Sequence, residues 1–410
     1  MALIVQKFGG TSVADIERIC NVAQKVKKEH DAGNQVAVVL SAMSGTTDRL
    51  VGWCDAVSDL SSPESCAEYD TVLSSGEQIT VGLLALKLQS MGITARSWMG
   101  WQLPILTDSA HSKARIESIE SEIIKASLER GEVAVVPGFQ GITSEGRIAT
   151  LGRGGSDTSA VALAAALQAD RCDIYTDVDG VYTTDPRIVP NARKLNKIGY
   201  EETLEMASLG AKVLHTRSVE LAMKNGVSVQ VRSSFSDEPG TLLVEEEEVV
   251  ERRLITGIAY SRNDAQVTLM KVENTPGVAA QVFGPLAAAN INIDMIVQNV
   301  SEDGTLTDLT FTVAKTEIEQ AKDALNNADI NFKSLITSEN VAKVSVIGVG
   351  MRSHTGLAQK MFKTLADKGI NILVISTSEI KISVLIDAEY LELALRALHT
   401  AYDLDAPKED

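Results

Sequence analysis

The stretch LIVQKFGGTS, residues 3–12, joins a short apolar segment to a pair of glycines. The segment Leu3 to Lys7 has the length and composition of a buried β-strand, and an amphipathic segment of helical length, Asp15 to His30, follows the glycines. A strand that turns through glycines into a helix is typical of α/β proteins. The spacing matches neither a Walker loop nor a dinucleotide fingerprint, so a phosphate-binding turn and a plain tight turn are both open interpretations.

The alternation of strand and helix continues to about residue 235 and predicts a first domain over residues 1–235. Further strands are predicted at residues 35–40, 94–98, 133–136, 173–176 and 227–231. Helices are predicted at residues 77–91, 114–130, 156–168 and 211–225. The pattern indicates an α/β fold whose parallel-rich sheet is sandwiched by helices.

The remainder of the chain contains an internal repeat. Turn residues and a dense acidic run predict a linker at residues 236–253. Beyond it, PGVAAQVFGPLAAANINIDMIVQN (276–299) aligns with TGLAQKMFKTLADKGINILVISTS (355–378), which pairs Gly277 with Gly356. Chance alignment of this kind is rare, so we expect two structurally similar modules.

Each copy is predicted to form a ferredoxin-like βαββαβ unit. After its last helix the second copy has only a polar tail, whereas the strand at 254–260 precedes the first copy without a role in it. We therefore expect this strand to complete the second module. The modules are predicted at residues 265–337 and at residues 254–260 plus 341–402.

Composition limits the classes of function. The chain has 410 residues, enough for roughly two to four domains. Hydrophobic residues make up 44% and aromatic residues 4% of the chain, which is typical of α/β proteins with aliphatic cores. The net charge of −17 argues against nucleic acid or an anionic membrane as a partner. A locally positive pocket for an anionic substrate is still compatible with this charge.

The sequence also predicts a cytoplasmic location. The N-terminus lacks a basic lead segment and a cleavage site, and no apolar stretch approaches the roughly 20 residues that span a bilayer. The four cysteines, Cys20, Cys54, Cys66 and Cys172, show no CxxC pairing. We interpret them as reduced structural thiols of a cytosolic protein.

A second glycine-rich turn, LGRGGSDTSA at residues 151–160, leads into a predicted helix. Ser156 or Asp157 could simply cap that helix. Capping does not require an arginine among three glycines, however, and Arg153 could bind a carboxylate through two hydrogen bonds. This turn therefore favours a substrate site over a structural cap.

Three further stretches are candidates for ligand contacts. The segment YTDVDGVYTTDPR, residues 175–187, holds more Asp, Tyr and Arg than a turn needs and could line a nucleotide pocket. SAMSGTTD, residues 41–48, follows a strand, and SSGEQ, residues 74–78, contains Glu77. Taken alone, Glu77 is a common first-turn partner of a helix dipole, but an amine-bearing substrate would give it a binding role.

These motifs together resemble one enzyme family. KFGGTSV (7–13), GRGGSDTSA (152–160) and TDVDGVYTTDPR (176–187) resemble the aspartokinases, and NTPGVAA (274–280) with GINILVISTSEIKISVLI (369–386) resembles that family's paired ACT domains. The resemblance covers nearly the whole chain and is closest to the monofunctional type. It implies an amino-acid-kinase domain, ATP and Mg²⁺ as cofactors, and L-aspartate as the acceptor of the phosphoryl group.

The resemblance also implies a role for individual residues. Lys7 and Asp157 would be the catalytic pair, and no residue is assigned as a metal ligand. The nucleotide set comprises Lys7, Gly9, Gly10, Thr176, Asp177, Tyr182, Asp185, Arg187 and Lys212. The aspartate set comprises Ser41, Thr47, Glu77, Arg153, Gly154 and Ser156. A carboxylate acceptor is ionised at neutral pH, so the chemistry needs no general base.

The ACT pair implies feedback control by lysine, threonine or both, in an assembly of at least two chains. The effector set comprises Asn274, Gly277, Ala279, Asn292, Asp294, Gln298, Asn371, Ile372, Ser378 and Glu379. Two other functions are compatible with the sequence: a kinase for another amino acid, such as glutamate, and a catalytically silent amino-acid sensor. The intact constellation of Lys7, Arg153 and Asp157 argues against the sensor.

Overall fold

The computed structural model describes residues 1–60, 62–209, 213–245, 254–352 and 354–405. The chain divides into two compact units. The first unit comprises the described residues of Met1–Val181, Lys194–Ala207 and Lys212–Val250. The second comprises the described residues of Tyr182–Arg193, Ser208–Ala211 and Glu251–Asp410. No helix within the described residues has the length and apolarity that crossing a membrane requires.

The first unit is built on a large, mostly parallel sheet. The strands of its described residues are β1 (Leu3–Phe8), β2 (Gln35–Leu40), β3 (Ala95–Ser97), β4 (Ile105–Thr107), β5 (Ile116–Ile119), β6 (Val133–Pro137), β7 (Gln140–Thr143), β8 (Ile148–Thr150), β9 (Arg171–Thr176), β10 (Lys197–Gly199), β11 (Val229–Ser233) and β12 (Thr241–Val244). Eight of them form one sheet in the order β10-β12-β11-β9-β1-β2-β6-β3, and a smaller sheet has the order β5-β4-β7-β8. Strands β1, β2 and β6 are almost wholly buried and mostly apolar, as is typical of parallel strands covered by helices on both faces.

Helices pack on the large sheet. Those between residues 16 and 225 are α1 (Ile16–Asp31), α2 (Thr46–Asp55), α3 (Pro63–Ser90), α4 (Glu122–Glu129), α5 (Gly155–Leu167), α6 (Tyr200–Ser208) and α7 (Thr216–Asn225). Helix α3 begins 14 residues earlier than the predicted start at residue 77, because Ser62 forms a capping box with Ser65 and Pro63 occupies the first turn. The predicted helix at 114–130 is wrong in its first part, where residues 116–119 pair as β5 with β4.

Strand β12 corrects the predicted linker at 236–253. Thr241–Val244 pairs antiparallel with β11 and parallel with β10, so the large sheet continues beyond residue 235. The strand is short, and the acidic run that follows it hides its apolar pattern in the sequence. Gly240 is required at its start, because a Cβ atom there would lie 1.7 Å from the Val231 carbonyl oxygen. Residues 246–253 lie outside the described residues.

The second unit contains two similar modules. Its strands are β13 (Gly257–Ser261), β14 (Asp264–Glu273), β15 (Asp294–Val300), β16 (Leu306–Ala314), β17 (Ser334–Ser338), β18 (Val341–Ile347), β19 (Val374–Thr377) and β20 (Lys381–Asp387). Its helices are α8 (Val278–Ala288), α9 (Ile318–Asn326), α10 (Leu357–Asp367) and α11 (Leu391–Ala401). The first module has the antiparallel sheet β15-β16-β14-β17 and the second has β13-β18-β20-β19.

The modules are interleaved in sequence, because β13 precedes the first module yet pairs antiparallel with β18 of the second. The repeat is visible in the turn before each first helix. Gly277 precedes α8 with φ of +95°, and Gly356 precedes α10 with φ of +93°, a conformation that L-residues with a Cβ rarely adopt. The two aligned glycines therefore have the same structural function.

Residues 182–193 pack inside the second unit, although strands of the first unit lie on either side of them in sequence. Ile188 and Val189 belong to the hydrophobic core of the second module. Buried Thr183 contacts His399, with 2.9 Å between the hydroxyl oxygen and Nε2, and its carbonyl oxygen accepts a hydrogen bond from the Ile258 N–H at 2.7 Å. Burial lowers the pKa of His399, so this histidine favours its neutral form.

We predict that Ile188→Ala lowers the free energy of unfolding by about 2 to 4 kcal/mol, because it leaves a cavity in the core of the second module. Ile336→Ala is a matched control, since Ile336 is 54% exposed in the same unit. Urea denaturation of the full chain measures both effects. Equal losses for the two variants would contradict the burial of residues 182–193 in this core.

Candidate active site

The carboxyl ends of β1, β2, β6 and β9 lie side by side at one end of the large sheet, which we call its carboxyl edge. The Ser41 N–H donates to the Phe8 carbonyl oxygen at 3.1 Å, and the Gly138 N–H donates to the Leu40 carbonyl oxygen at 2.9 Å. The Gly9 N–H donates to the Tyr175 carbonyl oxygen at 3.3 Å. Ligands of open α/β sheets bind at this edge, because loops from several strands converge there.

Two charged side chains meet at this edge. Lys7, on β1, lies with its Nζ 2.6 Å from Oδ1 of Asp157, in the first turn of α5. Their side chains are 11% and 13% exposed. The two groups form an ion pair that is largely shielded from solvent. The two glycine-rich turns of the sequence therefore face each other across one site.

The first glycine turn brings the backbone close to its neighbours. A Cβ atom on Gly10 would lie 3.1 Å from the Ala42 carbonyl oxygen, and one on Gly9 would lie 3.4 Å from Lys7 Nζ. Gly10 opens a four-residue 3-10 turn, and the α-helix begins only at Ile16, after the cap at Asp15. A ligand bound at these glycines would therefore contact this turn and Lys7 rather than the N-terminus of α1.

The second glycine turn is held in a left-handed conformation. Gly154 has φ of +72°, and a Cβ atom there would lie 2.2 Å from the ring of His215. A Cβ atom on Gly138 would likewise lie 2.8 Å from the Cβ of Ser156. Only glycine fits these two positions, so the start of α5 is fixed by tight packing.

Arg153 is exposed at the tip of this turn. Among the described residues, no carboxylate lies within 4 Å of its guanidinium. An arginine held at the edge of a site without an internal anion is suited to bind an anionic substrate.

Glu77 is a buried carboxylate with one oxygen unused. It is 3% exposed; its Oε1 accepts a hydrogen bond from the Ala42 N–H at 3.0 Å, and its Oε2 has no partner among the described residues. Burial raises the pKa of Glu77 to about 7, and the hydrogen bond from Ala42 only partly opposes this shift. A cationic group bound at Oε2 would stabilise the ionised form.

The hydroxyl residues of the first substrate motif follow the end of β2. Ser41 follows β2, and its carbonyl oxygen accepts a hydrogen bond from the Thr80 hydroxyl at 2.9 Å. Thr47 lies in the first turn of α2, which begins after Gly45 in a left-handed conformation. Both residues are partly buried. The structure thus brings Ser41 and Glu77 to the same strand end.

The residues assigned to the nucleotide are divided between the two units. Thr176 ends β9, and its hydroxyl donates to Oδ1 of Asp177 at 3.2 Å in the first unit. Tyr182, Asp185 and Arg187 lie in the second unit. Lys212 lies outside the described residues.

Asp185 is strongly anchored within the second unit. Arg187 pairs with it at 2.7 Å, and the Tyr260 hydroxyl donates to its Oδ2 at 2.9 Å. The hydrogen bonds from Arg187 lower the pKa of Asp185 to about 2. Asp185 is therefore ionised at neutral pH.

Sequence reasoning missed two residues at this site. His215 packs against Gly154, and its motif offers no spacing signal. Asp70 lies on α3, seven residues before Glu77. Seven residues are about two helical turns, so this spacing places both carboxylates on the same side of α3 and could have indicated Asp70.

Comparison with known proteins follows the same division of the chain. Residues 2–233 match the amino acid kinase family, and residues 267–329 and 344–402 each match the ACT domain. An aspartate kinase of Pseudomonas putida is 57% identical over 410 residues, which cover 99% of this chain and 99% of that protein. The chain belongs to the aspartate kinases. It is therefore an ATP-dependent kinase with a carboxyl group as acceptor.

Solved aspartate kinases share the architecture. Escherichia coli aspartokinase III in complex with aspartate and ADP (R-state) has a TM-score of 0.81 at 28% identity, over 97% of this chain and 99% of that chain. The same enzyme in complex with lysine and aspartate (T-state) has a TM-score of 0.78 at 27% identity, over 98% of this chain and 99% of that chain. The predicted fold class, an amino-acid-kinase sheet followed by two ACT modules, is confirmed.

The effector positions of the first ACT module are spread along its sheet, with Gln298 opposite Leu309 between the two ends. The Asn274 N–H donates to the Thr305 carbonyl oxygen, whereas Asp294 pairs with Thr312. Seven residues of extended strand separate the two positions, or about 20 Å. Gly277 and Ala279 lie with Asn274 at the start of α8, and Asn292 lies with Asp294. One module therefore does not gather these residues into a single contact set.

The second ACT module carries the remaining effector positions. Asn371 and Ile372 precede β19, and Ile372 packs against the module's core. The Ser378 N–H donates to the Lys381 carbonyl oxygen at 2.8 Å, and Glu379 pairs with Arg352 at 3.4 Å. These positions lie between α10 and β20. Their repeat partners lie between α8 and β16 in the first module.

Asp294 is already paired within the aspartate kinase. Lys343 of β18, 7% exposed, lies 2.7 Å from Asp294 and 3.2 Å from Asp264. Burial opposes ionisation of Asp294, but the hydrogen bond and charge of Lys343 outweigh it and lower its pKa. Asp294 thus joins the two ACT modules, and an effector's ammonium group would have to compete with Lys343 for it.

We predict that Glu77→Gln stabilises the ligand-free aspartate kinase above pH 7. The folded state binds the Glu77 proton more tightly than the unfolded chain, so the free energy of unfolding falls as pH rises from 4.5 to about 7. By this linkage the gain is about 3 kcal/mol at pH 8 and is largely absent at pH 5. Urea unfolding at both pH values measures it.

The exposed Glu122→Gln serves as the control, since Glu122 is 87% exposed. It should change stability little at either pH. A Glu77→Gln effect of the same size at pH 5 and pH 8 would show that burial of the charge at Glu77 is not its cause.

Proposed function

We propose that the chain transfers the γ-phosphoryl group of ATP to the β-carboxylate of L-aspartate at the edge of the large sheet where Lys7 meets Asp157. The product is 4-phospho-L-aspartate, the first intermediate toward lysine, threonine and methionine. The contact between Lys7 and Asp157 carries this assignment, because it supplies a buried cation in a site lined by glycine turns. Phosphoryl transfer depends mainly on such positioning and charge neutralisation.

In this mechanism an oxygen of the aspartate β-carboxylate attacks the γ-phosphorus as the bond to the ADP oxygen breaks. The carboxylate is already ionised, so no general base is needed. Lys7 stabilises negative charge on the transferred group, with the Gly9 and Gly10 backbone beside it. Asp157 holds the lysine ammonium group in place.

The substrate amino acid is held by groups of opposite charge. We assign Arg153 to a carboxylate of aspartate and Glu77 to its ammonium group, with Ser41, Thr47, Gly154 and Ser156 around them. The unpartnered, buried Oε2 of Glu77 supports this assignment, because a bound ammonium group would satisfy it and lower its pKa. Aspartokinase III of Escherichia coli has been solved with aspartate and ADP, which supports the same two substrates here.

Mg²⁺ is proposed to enter with the nucleotide. No cluster of three or more His, Cys, Asp or Glu residues suited to a metal occurs among the described residues. Mg²⁺ usually binds kinase sites through phosphate oxygens, water and one or two carboxylates, so it does not require such a cluster. When bound, the ion neutralises phosphate charge. Thr176, Asp177, Tyr182, Asp185, Arg187 and Lys212 are assigned to the nucleotide.

The ACT modules are proposed to bind lysine, threonine or both and to inhibit the kinase. The T-state structure of the Escherichia coli enzyme contains lysine, which supports this class of effector. Inhibition requires that the effector prefer one conformational state. We further propose a homodimer or homotetramer formed through the ACT modules and a cytoplasmic location, where ATP and aspartate are available.

We predict that Lys7→Ala lowers kcat at least about a hundredfold, because the transferred phosphoryl group loses its nearest positive charge. Lys28→Ala is the control, since Lys28 is 65% exposed on α1. Activity assays with circular dichroism as a check on folding measure both. Turnover of a folded Lys7→Ala protein within tenfold of the parent would refute the role of Lys7.

We predict that purified protein phosphorylates aspartate in preference to glutamate and that lysine, threonine or both reduce the rate. Asn292→Ala should raise the half-inhibiting effector concentration about tenfold, whereas Asn326→Ala in the same module should not. Kinase assays titrated with each amino acid, alone and together, measure these effects. Faster turnover with glutamate would indicate a different amino-acid kinase, and no ATP turnover would indicate a sensor.

A further inference from the structure

A second buried carboxylate lies on α3, close to the turn that carries Arg153. Asp70 is 0% exposed, and it lies about two turns, or roughly 10 Å, before Glu77 along the helix. The mechanism above gives Asp70 no role. A buried charge requires compensation, so its partners indicate what it does.

Asp70 accepts hydrogen bonds from two separate segments of the chain. The Ser112 N–H lies 2.9 and 3.1 Å from its two oxygens, and His111 Nδ1 lies 2.9 Å from Oδ2. Thr150 donates its N–H at 2.9 Å and its hydroxyl at 2.6 Å. These donors satisfy both carboxylate oxygens of Asp70 and join residues 111–112 to residue 150.

These contacts fix the turn before Arg153 on both sides. Thr150 is the last residue of β8, three positions before Arg153. Gly152 follows with φ of +74°, and a Cβ atom on it would lie 3.0 Å from the Ser112 carbonyl oxygen. The backbone that carries Arg153 thus follows one residue that Asp70 holds, Thr150, and packs against another, Ser112.

We propose that Asp70, acting through Thr150 and Ser112, is a positioning residue that places Arg153 to bind the aspartate carboxylate. Asp70 itself is sealed from solvent and contacts no substrate. Because no carboxylate among the described residues pairs with Arg153, the place from which its side chain extends is set by the backbone turn. The inference rests on the role of Arg153 proposed above.

Thr150→Val tests this role with a small change. Asp70→Asn would set an amide donor against N–H donors and could prevent folding, whereas Val keeps the shape and backbone N–H of Thr150. The expected result is an increase of about tenfold in KM for aspartate, with less than a twofold change in KM for ATP. Thr150→Ser restores the hydroxyl and should bring KM for aspartate within threefold of the parent value.

Thr203→Val is the matched control. Thr203 is also buried in the first unit, and its hydroxyl donates to the Gly199 carbonyl oxygen at 2.8 Å. A merely structural role for Thr150 would give the control's pattern: a lower melting temperature, with KM for both substrates unchanged. The inference is overturned by that pattern, by equal increases in both KM values, or by failure of Thr150→Ser to restore aspartate binding.

Arg153→Ala, measured in parallel, separates this inference from the proposed site. If Arg153→Ala raises KM for aspartate and Thr150→Val does not, Asp70 is not a positioning residue but the aspartate site stands. If Arg153→Ala leaves KM for aspartate unchanged, the proposed site itself fails, and the inference fails with it. An increase in KM for aspartate with both variants supports the proposal.

Discussion

The proposed active site of this aspartate kinase depends on an ion pair at the carboxyl edge of a mostly parallel sheet. Lys7 lies on β1 and Asp157 lies in the first turn of α5. The pair therefore forms only when the first strand is central and the second glycine turn packs over it. Each charge would be costly to bury alone, and together they offset that cost. The surrounding glycines matter because Cβ atoms at Gly10, Gly138 or Gly154 would displace the loops that bring the charges together.

Helix α3 carries two buried carboxylates near the proposed site, and the two differ in their hydrogen bonding. Asp70 has hydrogen-bond donors at both oxygens, whereas Glu77 has an oxygen without a partner among the described residues. The first arrangement fixes backbone, and the second leaves a position where an ammonium group can bind. A fully satisfied buried carboxylate contributes to structure, and an incompletely satisfied one is suited to recognition, since ligand binding then relieves an existing penalty.

The sequence predicted much of the site because its motifs lie where strands end. Parallel strands bring their carboxyl ends to one edge, so Lys7, Ser41 and Thr176 could be expected near one another without knowledge of side-chain contacts. The alignment of the two repeats placed Gly277 and Gly356 at equivalent turns. Counting strands predicted that the strand at 254–260 completes the second module, where the strand observed at 257–261 pairs with β18. Strand β12 was missed because four residues beside an acidic run carry too little pattern. Asp70 and the burial of residues 182–193 depend on contacts between segments distant in sequence, which periodicity does not encode.

Residues 182–193 leave the first unit after Val181 and return at Lys194, and between these points they supply apolar side chains to the other unit's core. The boundary between the two halves is therefore not one position in the chain. Recombination between related genes at the linker alone would join a catalytic half to a regulatory core that had evolved around a different inserted segment. Exchange of regulation within this family would be expected to require matched changes in that insert, so that the two halves evolve together.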